Sequence, residues 1–209
     1  MSIEPVSPDV LVERVVSTVL GAGQGRVRVI VDGAPPTRPD ALADALVGPL
    51  RAAGRAVARV HADDFLRPAS LRWELGRHEP DAYLEDRLDL LALGREVLDR
   101  FAAEGRYLPT LWDPVRDRAT REPYAPAPDG AVLVLDGSLL LGRWLEHDVA
   151  VHLTVRPSSL ARRTPLDEQW TLPAFARYDE EMAPTTLADL VVHVDDPRHP
   201  ALEVTRPPQ

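Results

Sequence analysis

The chain has no lysine and no cysteine among its 209 residues, and all 24 of its basic side chains are arginines. Without lysine there is no Schiff-base amine, no lysine general base, and no lysine to complete an intact Walker A phosphate loop. Without cysteine there are no disulfides, no thiol nucleophile and no zinc–thiolate site. Positive charge is outweighed overall: the formal net charge is −9, a poor match for a general nucleic-acid binder, which needs a basic face. No apolar run approaches the roughly 18 residues of a membrane span, and the first residues lack a basic stretch followed by a hydrophobic one. The expectation is a cytoplasmic protein with neither membrane nor nucleic acid as partner. The six histidines show no metal spacing, so no metal site is read on the protein itself. No Ser-His-Asp arrangement is visible, and Gly21-Ala-Gly-Gln-Gly25 precedes a strand rather than following one, against a dinucleotide fingerprint.

What is present is ordinary for a soluble domain: 44% apolar and 27% charged residues, in a chain long enough for a real core. Ser7-Pro8-Asp9 marks a helix start, followed by Leu11, Val15 and Val19 on one face with Val12, Val16 and Leu20 beside them. Apolar runs at Val27 to Val31, Ala56 to Val60, Ala131 to Leu135, Val149 to Val155 and Leu190 to Val194 predict five buried strands. Between them, Leu42, Leu46 and Leu50 predict a helix that Gly48-Pro49 should kink or shorten. Residues 83–101 predict a second helix, with Leu84, Leu88, Leu91 and Leu98 on one face. Residues 106–128, with five prolines, read as an irregular excursion or hairpin, and helices are expected around 157–163 and 173–182. Residues 201–209 read as a loose tail.

Strands that alternate with helices and lack period-2 patterning predict an α/β fold, a mostly parallel five-stranded sheet with helices on both faces in three layers. Ligands in such folds sit at the carboxyl ends of the strands. Here those ends carry Asp32-Gly33, Asp63-Asp64 and Asp136-Gly137, which would deliver acid to one edge. Each aspartate taken alone is as readily a cap or turn residue.

In this order the motifs resemble the uridine kinase-like branch of the P-loop nucleoside kinases, from about Val27 to about Pro200. Val27-Arg-Val-Ile-Val-Asp-Gly33 is similar to the strand leading into the phosphate loop. His61-Ala-Asp-Asp-Phe65 is similar to the segment whose aspartate takes the proton of the nucleoside 5′-hydroxyl, a role the resemblance gives to Asp63. Glu79-Pro-Asp-Ala-Tyr83 looks like the family's helix start near the ribose. Trp112, Asp113 and Arg118 correspond to an aromatic–aspartate pair and a following arginine around the base. Val132 to Gly137 resembles the Walker B strand, which would put Asp136 near Mg²⁺ in an active kinase. Leu160-Ala-Arg-Arg163 resembles the start of a lid that spans about 157–182. The resemblance implies one P-loop domain over residues 1–200, with Gly33, Thr37, Arg38, Arg162 and Arg163 toward the phosphates and Tyr83 and Trp112 toward the base. Read without the resemblance, the two aromatics are equally packing residues and Arg162-Arg163 equally a solvated helix face.

The phosphate loop departs from that family. Its pattern is glycine, four residues, then Gly-Lys-Ser/Thr. Gly33-Ala-Pro-Pro-Thr-Arg-Pro-Asp40 keeps the first glycine but places Arg38, Pro39 and Asp40 at the diagnostic positions. Such loops work through consecutive backbone N–H groups and a helix N-terminus, with lysine on the phosphates and a hydroxyl on Mg²⁺. Prolines at 35, 36 and 39 remove three of those donors. Thr37-Arg-Pro-Asp40 reads as a capping box, worth about 1 kcal/mol to the helix. A carboxylate there also repels a phosphate ~4 Å away, by about 1 kcal/mol in water and about 4 at an effective dielectric near 20. Arg38 stands one residue before the missing lysine, either as its substitute or as an exposed arginine. His78 stands where the ribose-binding aspartate is expected, and Pro165-Leu-Asp-Glu-Gln-Trp170 replaces the later lid arginines.

Three readings follow. One is a P-loop-fold protein that binds a nucleoside or similar small molecule at Asp63, Tyr83, Trp112 and Arg118, with an impaired or silent ATP site and no cofactor. Another is an active Mg·ATP-dependent uridine or cytidine kinase with a non-standard loop. The third is a scaffold or interaction protein. Each leaves a homo-oligomer open.

Overall fold

The computed structural model describes residues 3–205. Seven strands make one sheet: β1 (Ile3–Pro5), β2 (Val27–Gly33), β3 (Val57–His61), β4 (Val132–Gly137), β5 (Val149–Thr154), β6 (Leu190–His193) and β7 (Ala201–Val204). Their order is β1-β7-β6-β5-β2-β4-β3. The block from β6 to β3 is parallel throughout, whereas β7 pairs antiparallel with β6 and β1 antiparallel with β7. The five expected strands are all there, and the sheet has seven rather than five. The residues from 201, expected as loose, begin with a paired strand at Ala201–Val204; residues 206–209 of that expected tail lie outside the described residues.

The apolar runs divide their side chains between two cores, one on each face. Val27, Val29 and Val31 of β2 join Val132 and Val134 of β4 and Val149 and Val151 of β5 on one face. There they meet α1 (Pro8–Gly21) through Leu11, Val15 and Val19, and α2 (Pro39–Ala52) through Leu42, Leu46 and Leu50. Ile30, Leu133, Leu135 and Ala150 point to the other face, against Leu93, Val97, Leu98 and Phe101. Coverage on both faces is why these strands read as unbroken apolar runs. Ser7 caps α1 as its sequence suggested, its hydroxyl accepting from the Val10 amide at 3.3 Å.

Two helix expectations change. Pro49 sits inside α2, which runs on to Ala52 instead of stopping at Gly48-Pro49. The single helix expected over 83–101 is two pieces. The first, α3 (Pro80–Glu85), ends at Asp86; helix resumes at Leu90, with π-helical geometry over Leu93–Asp99 and α geometry over Arg100–Glu104. Asp89 starts the second piece by accepting from the Ala92 amide at 2.9 Å. The break turns Leu91 outward, 84% exposed, while Leu88 stays buried. Two further helices, α4 (Pro157–Arg163) and α5 (Leu172–Met182), follow β5. The 106–128 excursion is a hairpin in which Trp112–Asp113 pairs with Arg118–Ala119 and Arg106–Tyr107 with Ala125–Pro126.

Candidate functional site at the carboxyl edge of the sheet

The β2–α2 connection folds close to the sheet. After Gly33 the chain makes a 3₁₀ turn at Pro35–Thr37, and Arg38 then takes a left-handed conformation, φ 62°, before Pro39 opens α2. Gly33 is tightly enclosed: a β-carbon there would lie 2.5 Å from Thr37 Oγ1 and 2.9 Å from the Leu153 carbonyl oxygen. Thr37 is buried and donates to the Ala34 carbonyl at 2.7 Å, so it does not cap the helix and the expected capping box is absent. Asp40 instead engages Arg38, whose Nε lies 2.9 Å from Oδ1 and whose Nη2 lies 2.9 Å from Oδ2. That hydrogen bonding, together with the amides of Ala41 and Asp40 itself, holds the Asp40 carboxyl below its ordinary range.

Beside this turn lies an open cleft of about 480 Å³ whose lining includes Arg38, Asp40, His61, Asp63, Arg87 and Asp136. It brings together Asp63 and Asp136, two of the three acids expected at the strand ends, with Arg38 of the turn. Both acids are already partnered. Arg87 Nη2 lies 2.7 Å from each oxygen of Asp63. Asp136, nearly buried, accepts from Arg59 Nη1 at 2.6 Å through Oδ1, and the same oxygen lies 2.8 Å from His61 Nδ1. Burial raises the neighbouring Asp64 carboxyl, with His61 working against that shift and Asp63 and Asp136 adding to it. The third strand-end acid, Asp32, does not reach the cleft. It is fully buried and bonded to His152, Tyr178 and the Leu140 amide.

The remaining expected residues lie elsewhere. Gly33 and Thr37 border a separate void of about 30 Å³ against α5. Arg163 donates to the Val194 and Asp195 carbonyls at 2.9 and 2.6 Å, and Arg162 is exposed; neither lines the cleft. Tyr83 packs edge-on to Trp170, ring centres 5.4 Å apart, and burial raises its phenol against the opposing influence of Arg87. Trp112 packs against the core and donates to Asp117 at 3.1 Å. Asp113 accepts from the amides of Val115 and Arg116 at 3.0 Å, which lowers its carboxyl, the Arg116 amide contributing most. With exposed Arg118 it borders a hollow of about 500 Å³ on the hairpin, separate from the cleft. The sequence reading missed Arg59, His61 as a partner of Asp136, and Arg87. One signal was available: Arg59 interrupts a buried strand, and a charge there needs a carboxylate on the next one.

Among the described residues no group of three or more His, Asp or Glu side chains is arranged to hold a metal ion, and no helix is long and apolar enough to cross a membrane.

A parallel block in the order β6-β5-β2-β4-β3, with helices on both faces and a cleft where the central strand turns into α2, is a fold this chain shares with solved structures described as kinases. Among solved structures, the chain is similar to a possible uridine kinase from Bacillus stearothermophilus, with TM-score 0.71, 21% identity, and 86% of this chain and 96% of that one covered. It is also similar to a protein described as a fructose transport system kinase from Silicibacter sp. TM1040, with TM-score 0.61, 23% identity, and 88% and 90% covered. D-glycerate 3-kinase from Cryptococcus neoformans matches with TM-score 0.51, 16% identity, and 83% and 80% covered. No family model and no curated protein sequence matches the chain.

Proposed function

We propose that this chain is a small-molecule-binding protein on a P-loop kinase fold, taking a nucleoside or similar ligand at the cleft around Asp63, with an impaired or silent phosphate-donor site. The observation that carries this reading is the Arg38–Asp40 pair at the first turn of α2, 2.9 Å apart. A helix N-terminus binds phosphate through free amides and the positive end of its dipole. Here a carboxylate already occupies that end, and Pro35, Pro36 and Pro39 offer no N–H. The cation that would replace the missing lysine is held by the same carboxylate. Asp136 is equally committed, since a Mg²⁺ ion bound there would compete with both Arg59 and His61. These residues do not fit Mg·ATP as a donor.

A second reading, an active nucleoside kinase, is favoured by the presence of Arg38, Asp63 and Asp136 in one cleft. It assigns Asp63 as proton acceptor and asks Arg38, Arg162 and Arg163 to reach the phosphates.

Calorimetric titration with Mg·ATP, then with uridine and cytidine, separates the two. Nucleoside binding without ATP binding is the expected result. Micromolar ATP affinity would refute the silent site, and binding of neither would favour a scaffold.

A further inference from the structure

Arg87 has a second side. Behind the Asp63 pair it borders a smaller cavity of about 110 Å³, between residues 72–83 and Trp170. Three arginines, Arg72, Arg77 and Arg87, line it, with Trp73, Tyr83 and Trp170 among its walls. The aromatic faces hold the cations in place: Arg77 and Arg72 lie 4.1 and 5.0 Å from the Trp73 ring centre, and Arg87 lies 4.9 Å from that of Tyr83. Arg72 Nε donates to the Arg67 carbonyl at 2.7 Å, and its Nη2 is 4.0 Å from Asp117. Glu79 lines the cavity too, and Glu168 adds a more distant negative charge. On the lining itself three arginines stand against one glutamate, with Asp63 and Asp117 pairing Arg87 and Arg72 from outside it.

Arg87 Nη1 is buried without a hydrogen-bond partner among the described residues, its guanidinium lying over the Tyr83 ring, so Arg87 meets the cavity as a charge already desolvated. Buried polar groups are almost always hydrogen-bonded, and a buried charged donor without an acceptor is costly. Burial, and after it the nearby charge of Arg87, also pull the Arg72 guanidinium below its ordinary range, against the opposing influence of Asp117. A guanidinium's planar fork of donors matches a carboxylate or phosphate, and the cavity is the size of a few water molecules at ~30 Å³ each, suited to a small group.

We infer that this cavity binds the oxyanion, phosphate monoester or carboxylate, of the small molecule whose neutral end lies in the cleft at Asp63. The inference rests on the reading of that cleft as a small-molecule site, and it narrows the ligand class to anionic compounds.

The test is calorimetric titration of the full chain with inorganic phosphate and, separately, with acetate, in low-chloride buffer. One of them should bind saturably, and the tighter of the two identifies the oxyanion. Affinity should fall at least tenfold in Arg72→Gln and remain unchanged in Arg198→Gln, an exposed arginine elsewhere. Circular dichroism checks folding, and should Arg72→Gln fail to fold, Arg77→Gln at the exposed rim takes its place. No saturable binding of either anion, or equal binding by wild type and the cavity variant, overturns the inference. Uridine titrated in the same buffer keeps the two proposals apart. Uridine binding without anion binding refutes the oxyanion site alone; anion binding lost in the cavity variant, without uridine binding, supports it and refutes the nucleoside. Binding of nothing refutes both.

Discussion

Asp32 and His152, 120 positions apart in the chain, meet at 2.8 Å inside the sheet, Oδ2 against Nδ1. They are register partners on β2 and β5, and both are buried. Tyr178 of α5 completes the cluster: its hydroxyl lies 3.1 Å from the same Asp32 oxygen and accepts from the Leu141 amide at 2.8 Å. Burial first, and then Asp32, drive the Tyr178 phenol far above its ordinary range, so it stays neutral. An acid at the end of the central strand thereby ties α5 to the sheet.

Tyr178→Phe should therefore destabilise the fold. It leaves the Leu141 N–H without its acceptor in a buried place, at a cost of about 1–3 kcal/mol. Urea unfolding should show a lower midpoint at an unchanged slope, the mark of altered stability with unaltered exposed surface. A midpoint equal to wild type would mean the hydroxyl contributes nothing.

Installing a Walker A sequence at this turn tests the proposed silent site from the other direction. In the triple substitution Arg38→Gly, Pro39→Lys and Asp40→Ser, the carboxylate goes, a lysine appears, and glycine takes the left-handed position at φ 62°. Glycine there relieves about 1 kcal/mol of backbone cost. Mg·ATP affinity should appear, or rise at least tenfold, by calorimetry. If the native loop already binds ATP in its own way, the triple variant will bind no better.

Glu96 gives the fold a defined acid sensitivity. Its carboxyl is lowered from 4.5 to about 2, chiefly by the Tyr124 hydroxyl at 2.6 Å and then by Arg95 and Arg100. The unfolded chain takes up this proton first as pH falls. The stabilisation is complete above about pH 4.5 and is lost progressively toward pH 2. Unfolding midpoints for wild type and Glu96→Gln should differ most at pH 6 and draw steadily together as pH falls from 4.5 toward 2. A gap that stays constant over that range would assign the effect to packing. Because Tyr124 belongs to the hairpin, its amide-exchange protection should weaken over the same interval.

The parallel block was legible because burial on both faces fills its strands mostly with branched apolar residues. The outer pair was not: β1 is three residues ending in proline, and β7 follows Pro200, so neither shows a run. The helix over 83–101 was misjudged because its leucines keep helical spacing across a real break, where Asp89 starts a new helix. At the site, Asp63 and Asp136 were visible as strand-end acids, yet their partners come from elsewhere: Arg87 lies 24 residues after Asp63, and Arg59 lies 77 before Asp136. Hydrogen bonding within Arg38–Asp40 is local, but a capping box and an ion pair both draw on Asp40, and the structure has the left-handed turn at Arg38 with the ion pair.

Arg87 stands between two compartments as a wall they hold in common. One guanidinium cannot be shared by two anions without each feeling the other. Charge that arrives on the aromatic side weakens the hold on Asp63, and by reciprocity whatever removes charge from Asp63 tightens the hold on an anion behind it, by the same factor. Were the proposed anion held there, Arg87 would act as a balance beam, its grip on the anion and on Asp63 each setting the other.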